Sequence, residues 1–244
     1  MLKACLIDLD GTLVGRSKEI SPRVLEAVRS ARFPIGLCSS RDAQHLLRFA
    51  SALGLRGMHV CDGGGRIVSS DGVTRWKRPL PAAMARDILS VLQQQGIALN
   101  AVIGGRGIPW EEGMAPLPKG EVTRISALQL SDGQLEELKK RYLMPGTLCL
   151  AKFLQRSSGR WGLDLTAASK GDAAERYCRL MGIPRKDLAA IGDSYNDVPL
   201  FAVAGTRVAM GDAPEELRAL ADYIVQTAED DGVAEALSLL RDEL

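Results

Sequence analysis

A βαβ rhythm that starts near residue 3, stops near residue 79 and resumes at residue 169 is the feature that most restricts how this chain can fold. Residues 3–9 form a short apolar run that ends in an acidic turn, as a buried parallel strand does. Ser21-Pro22 supplies an N-cap and a first-turn proline for a helix through about residue 31, and residues 34–38 read as a second strand. Asp42 caps the next helix, which carries Leu46, Leu47, Phe49, Ala50 and Leu53 before Gly54 ends it. Residues 57–61 make a third strand, and residues 65–69 and 73–77 pair as a hairpin about Ser70-Asp71-Gly72. After Ser169 come a helix through Met181, strands at 188–191, 207–209 and 223–225, and a short helix near Val198.

The middle of the chain follows a different pattern. A helix over 81–95 stopped by Gly96, strands at 97–103 and 121–130, a helix over 131–142 and strands at 147–154 and 160–166 give the order α-β-β-α-β-β. Ser131 with Gln134 forms a capping box, and Glu136/Lys140 and Glu137/Arg141 stand at i,i+4 spacing. Antiparallel hairpins with two helices on one face make a small α+β unit. The expected fold is therefore α/β: a doubly wound, Rossmann-like parallel-sheet core of residues 1–79 and 167–244, interrupted by an α+β insertion of residues 80–166.

Composition narrows the function. Lys and Arg number 31 against 30 Asp and Glu, so neither a basic nucleic-acid binder nor a polybasic membrane-surface protein is indicated. No apolar run approaches the length of a membrane span, and the first one stops at Asp8 before it could serve as a signal sequence. A cytoplasmic, soluble protein is expected, a monomer or homodimer. The 5 cysteines include no C-x-x-C pair, which points to reduced thiols rather than a disulfide framework or zinc knuckle. With only 2 histidines, His45 and His59, titrating chemistry falls to carboxylates and lysines.

Those groups gather at the carboxyl ends of strands, where open parallel sheets bind ligands. The first strand ends in Asp8-Leu9-Asp10-Gly11-Thr12, a combination expected by chance in only about a few of every thousand chains this long. A carboxylate there can attack phosphorus while its neighbour protonates the leaving oxygen. The second strand ends in Ser39-Ser40-Arg41, Lys170 opens the helix after the insertion, and residues 192–197 (Gly-Asp-Ser-Tyr-Asn-Asp) form a second acidic loop. Each alone is an ordinary cap or turn. Together they supply oxygen ligands for Mg²⁺ and cations for a phosphoryl group.

With these residues in this order, the chain resembles the haloacid dehalogenase superfamily, specifically its Cof-type phosphatases with a type IIB cap. Asp8 to Thr12 is similar to that family's first motif, Ser39 to its second, Lys170 to its third and the loop from Gly192 to Asp197 to its fourth. The insertion lies between the second and third, and residues 208–213 and 231–233 are also family-like. The resemblance implies that Asp8 is the nucleophile and Asp10 the general acid and base. It implies Mg²⁺ held by the Asp8 carboxylate, the Asp10 carbonyl and Asp193, with Asp197 in support. Leu9, Ser39, Lys170 and Asn196 would bind the phosphate. The chain departs from the family at Ser40, where glycine is usual, and at Asp62, where asparagine is usual.

Of the remaining residues, His45 reads as mid-helix surface, His59 as packing, and Trp76 and Trp161 as core or hinge residues. The loop over 104–120, with Arg106, Trp110, Glu111, Glu112 and Lys119, is the candidate specificity lid. Arg41, Arg106 and Trp110 are the candidate substrate contacts. The expected activity is Mg²⁺-dependent hydrolysis of a small phosphorylated metabolite, a sugar phosphate or a phosphoglycolate-like organic-acid phosphate. A phosphohexomutase-type phosphotransferase and a non-catalytic binding module are the alternatives.

Overall fold

A computed structural model describes residues 2–111, 120–142, 148–155 and 160–241. In chain order the elements are β1 (Ala4–Ile7), α1 (Pro22–Ser30), β2 (Ile35–Leu37), α2 (Ala43–Leu53), β3 (Met58–Cys61), β4 (Arg66–Ser69), β5 (Thr74–Lys77), α3 (Ala82–Gln94), β6 (Leu99–Ile103), β7 (Arg106–Trp110) and β8 (Val122–Leu128). They continue with α4 (Asp132–Tyr142), β9 (Cys149–Gln155), β10 (Arg160–Thr166), α5 (Lys170–Met181), β11 (Leu188–Gly192), α6 (Val198–Phe201), β12 (Thr206–Met210), α7 (Glu215–Arg218), β13 (Tyr223–Val225) and α8 (Gly232–Arg241).

β13-β12-β11-β1-β2 is a parallel sheet with helices on both faces. Alternation along β1 explains the sandwich: Cys5 and Ile7 join the apolar cluster that holds α1, α2 and α8, whereas Ala4 and Leu6 join the one that holds α5, α6 and α7. From β1 the chain winds to β2 on one side and later returns to β11 on the other. The switch point of the doubly wound sheet therefore falls at β1.

β3-β4-β5 is a separate antiparallel sheet, joined to the parallel one through the bridge between Cys38 and Val60. Its β4–β5 turn is the expected one, with Gly72 at φ 84°. His59 on β3 is fully buried and knits the two sheets: its Nδ1 accepts from the Leu37 N–H at 3.1 Å and its Nε2 meets the Ser70 hydroxyl at 2.9 Å.

The inserted segment forms the antiparallel sheet β7-β6-β8-β10-β9, one face of which packs on α3 and α4. It has one strand more than α-β-β-α-β-β, because β7 occupies part of the stretch read as a lid loop and pairs along β6. Residues 112–119 of that stretch, with Glu112 and Lys119, lie outside the described residues, as does Thr147. Ser131 caps α4 as expected, its Oγ accepting from Gln134 N while Gln134 Oε1 accepts from Ser131 N. The i,i+4 pairs on α4 are replaced: Lys139 bonds Glu136 at i,i+3, and Arg141 reaches Asp87 on α3. Trp76 packs at the edge of the core, but Trp161 is 52% exposed and does not serve as a core residue.

His59 gives the fold a pH dependence of defined sign. Burial lowers its pKa to about 4, because the charged imidazolium would lose its solvation in the interior. Below the ordinary value of 6.5 the unfolded chain takes up a proton that the native chain refuses, so stability is full above 6.5 and falls as the pH drops toward 4. The loss is at most about 3 kcal/mol. Urea unfolding at several pH values is expected to show this slope, and His59→Gln is expected to flatten it.

Candidate active site

β1 and β11 are neighbours with Ile7 opposite Ile191, so the loops that leave them emerge side by side at the carboxyl edge of the sheet. Asp8 follows the first and donates its N–H to the Ile191 carbonyl at 2.9 Å. Asp193 follows the second, and the Thr12 hydroxyl ties the two loops by donating to Asp193 Oδ1 at 2.7 Å. Asp197 folds back over its own loop, where its Oδ2 accepts from the N–H groups of Asp193 and Ser194. That approach requires Gly192, since a Cβ there would stand 2.7 Å from Asp197 Cγ.

Lys170 enters from the other crossover. Ser169 caps α5, with its hydroxyl accepting from Asp172 N and Asp172 accepting from Ser169 N, so Lys170 is fixed as the first helical residue. Its Nζ donates to Asp8 Oδ1 at 2.7 Å, Asp197 Oδ1 at 2.7 Å and Asn196 Oδ1 at 3.1 Å, and only 2% of the residue is exposed. Removing one member of such a buried set typically costs about 3–5 kcal/mol, because the other is left uncompensated.

The charges do not balance. Burial raises the Asp8 carboxyl well above its usual range; Lys170 opposes the shift, and Asp197 and Asp193 add to it. Lys170 is also raised: burial works against its charge, but Asp197 and Asp8 outweigh it. One ammonium thus faces the three buried carboxylates Asp8, Asp193 and Asp197, each offering an oxygen within 4.8 Å of the others. Hard oxygen donors in excess negative charge fit a divalent cation such as Mg²⁺. Both Asp197 oxygens already accept from Lys170 or from backbone N–H groups, so Asp197 is better suited to orienting the site than to leading the ligand set.

β2 leads into the third loop. Ser39 is buried and its Oγ accepts from Arg41 N at 3.1 Å, while Asn196 Nδ2 stands 3.5 Å from Ser40 Oγ. Arg41 grips both Asp10 oxygens, Nε to Oδ2 at 2.7 Å and Nη2 to Oδ1 at 2.5 Å, with its guanidinium over the Phe49 ring. Asp42 caps α2 and accepts from Gly107 N of the inserted sheet; burial opposes its charge, but bonds from His45 and Gly107 hold its carboxyl below the usual range. His45 is accordingly in the first turn of α2, bonded to Asp42, rather than mid-helix.

The structure thus gathers Asp8, Ser39, Lys170, Asp193, Asn196 and Asp197, with Asp10 and Arg41 paired beside them. Leu9 turns its side chain into the core, which leaves only its peptide group to face a ligand. Arg106 and Trp110 are not brought to this site. Trp110 is packed in the layer beneath α3 with its indole N–H on Gln93, and alternation along β7 puts the exposed Arg106 on that same face. The sequence places Thr12 in the first motif without its bond to Asp193, and it marks neither Arg124 nor the partners of Asp62. Arg124 on β8 projects from the inserted sheet to the Ser40 carbonyl, and its signal was the polar set Arg124 and Ser126 alternating with the apolar Ile125 and Ala127.

A family model described as haloacid dehalogenase-like hydrolase matches residues 5–113 and 111–237. The phosphoglycolate phosphatase of Archaeoglobus fulgidus is 27% identical over 238 residues, covering 98% of this chain and 96% of its own. The pyridoxal phosphate phosphatase of Escherichia coli is 23% identical, covering 94% and 95%. A haloacid dehalogenase-like hydrolase from Bacillus subtilis superposes with a TM-score of 0.84 at 24% identity, covering 97% of this chain and 99% of that one.

The unbalanced carboxylates make a thermal prediction. Mg²⁺ at about ten times its dissociation constant is expected to stabilise the fold by about 1.4 kcal/mol, a melting shift of roughly 3–5 °C over EDTA. Asp193→Asn should remove the shift, and calorimetry with and without the metal checks it.

Proposed function

The chain belongs to the haloacid dehalogenase-like hydrolase family, and on that premise we propose that it is a Mg²⁺-dependent phosphomonoester hydrolase that works through an aspartyl-phosphate. The observation that carries the reading is the buried set in which one Lys170 ammonium spans Asp8 and Asp197 beside Asp193, at the switch point of a parallel sheet.

Asp8 attacks phosphorus in line with the ester oxygen, and Asp10 passes its proton to that oxygen as the P–O bond breaks. Asp10 then takes a proton from water, which attacks the phosphoryl group and returns Asp8 as a free carboxylate. Lys170, Ser39 and Asn196 bind the phosphoryl oxygens, and Lys170 also lessens the repulsion between the Asp8 carboxylate and the incoming dianion. The Asp8 carboxylate, the Asp10 carbonyl and Asp193 would hold Mg²⁺, which would supply the further positive charge that this approach needs. With both oxygens on Arg41, Asp10 is arranged as a base. Arg41 must release one oxygen when Asp10 carries its proton.

Residues 80–166 act as the cap. β9 lies against the turn Tyr195–Asp197, and Arg124 reaches the Ser40 carbonyl, an arrangement that supports exclusion of water from the phosphoryl site. The substrate is a small organic phosphate, a sugar phosphate or an organic-acid phosphate, whose leaving group lies between the two sheets.

Purified protein is expected to release p-nitrophenol from p-nitrophenyl phosphate with Mg²⁺ and not with EDTA. Asp8→Asn should abolish turnover, and Asp10→Asn should lower it by about 10²–10⁴-fold. Wild-type rates in Asp8→Asn protein would sink the mechanism. Sugar isomerisation without phosphate release, in an assay with a hexose 1-phosphate and a trace of hexose bisphosphate, would replace hydrolysis with transfer.

A further inference from the structure

Asp62 is fully buried, carries a carboxylate and sits in the left-handed region at φ 55°, followed by Gly63 at φ 68°. Such a backbone is uncommon for a residue with a side chain and persists only where its surroundings hold it. Three elements do so. Asp62 N–H donates to the Arg41 carbonyl at 2.9 Å and Gly63 N–H to the Ser39 carbonyl at 3.1 Å, so this turn holds the loop that presents Ser39 and Arg41. Gly64 abuts the start of α5: a Cβ there would lie 2.2 Å from Ser169 O and 2.7 Å from Lys170 N. Gly65 abuts the cap, where a Cβ would lie 2.8 Å from the Thr123 carbonyl.

The carboxylate makes the last connection. Asp62 Oδ2 accepts from the Thr123 hydroxyl on β8 at 2.7 Å and from Arg66 Nε at 2.9 Å, in a site where Thr123 is also fully buried. β8 is irregular at this point: Val102 faces Arg124 and Ile103 faces Val122, so Thr123 has no partner across the ladder. A bulge of this kind re-aims a side chain, and here it aims Thr123 at Asp62 while the next residue, Arg124, reaches Ser40.

We infer that Asp62 is a positioning residue: through Thr123 it ties the cap to the turn that sets both the Ser39–Arg41 loop and the Lys170 end of α5, so that seating the cap brings the phosphate-binding groups into register. Arg66 supplies the counter-charge that lets a carboxylate do this in a buried site. The inference rests on the phosphatase reading only for its kinetic readout.

Thr123→Val keeps the shape and removes the hydroxyl, and Thr123→Ser restores it. In Thr123→Val, kcat/KM for p-nitrophenyl phosphate is expected to fall on the order of 10- to 100-fold, mainly in kcat, with the melting temperature lowered by only a few degrees and both recovered in Thr123→Ser. Hydrogen exchange of the peptides spanning residues 38–42 and 122–126 should rise together in Thr123→Val and return in Thr123→Ser. Unchanged exchange at 38–42 in Thr123→Val would overturn the coupling, and so would a fall in melting temperature with unchanged kcat/KM. Lack of turnover by the wild type would overturn the phosphatase reading alone, with the exchange result still deciding the coupling.

Discussion

A lysine ammonium buried between two carboxylates is the constraint around which this molecule is arranged. Lys170 comes from the start of α5, Asp8 from the end of β1 and Asp197 from the loop after β11, so the triad closes only where three segments far apart in sequence meet. Burying these charges is unfavourable in isolation, and the cost is offset only where every oxygen and proton finds a partner. The backbone donors on Asp197 and the Thr12 hydroxyl on Asp193 are such partners. What remains is a surplus of negative charge, which a structural ion pair would not need and a cation site would.

The rest of the architecture can be followed outward from that triad. The parallel sheet presents Asp8, Ser39 and Asp193 from adjacent strands, and the capping box of α5 fixes the lysine. Among the contacts of the inserted unit with the core are three hydrogen bonds of different kinds: Gly107 to Asp42, Thr123 to Asp62 and Arg124 to Ser40. All three land on the loop after β2 or on the turn that supports it. The inserted sheet is thus tied by side-chain and backbone bonds to the Ser39–Asp42 loop, and by the packing of β9 to the turn Tyr195–Asp197.

Much of this was legible in the chain because its signals are local. Asp8 to Thr12 and Gly192 to Asp197 are contiguous, Ser169 and Asp172 announce their helix start, and short apolar runs between them define the strands. What could not be read depends on partners far apart in sequence. Residues 106–110 look like a loop because glycine and proline interrupt them, yet β6 recruits them as an edge strand, a position that tolerates proline. Trp110 stands in a stretch with the character of a lid, but its face is set by alternation along β7, which follows from a register the sequence does not state. Asp62 stands out in the sequence only as a replacement for the usual asparagine; its partner Arg66 is only a turn away, but Thr123 is brought to it by a bulge.

Asp8 and Asp10 show how two like residues, separated by one position, can be given different surroundings without a histidine. Strand β1 and the turn after it send them into different surroundings: the Asp8 side chain is 6% exposed and held by an ammonium, whereas that of Asp10 is 40% exposed and held by a guanidinium. A buried carboxylate with one oxygen anchored has one direction in which to attack, which suits a nucleophile. A half-exposed carboxylate can exchange protons with water and with a leaving group, which suits an acid and base. The division follows from burial and from the choice of cation: lysine as a compact charge deep in the site, arginine as a two-pronged clamp at its mouth. In a chain with 2 histidines, neither bonded to the acidic cluster, that difference in environment is what the chemistry has to work with.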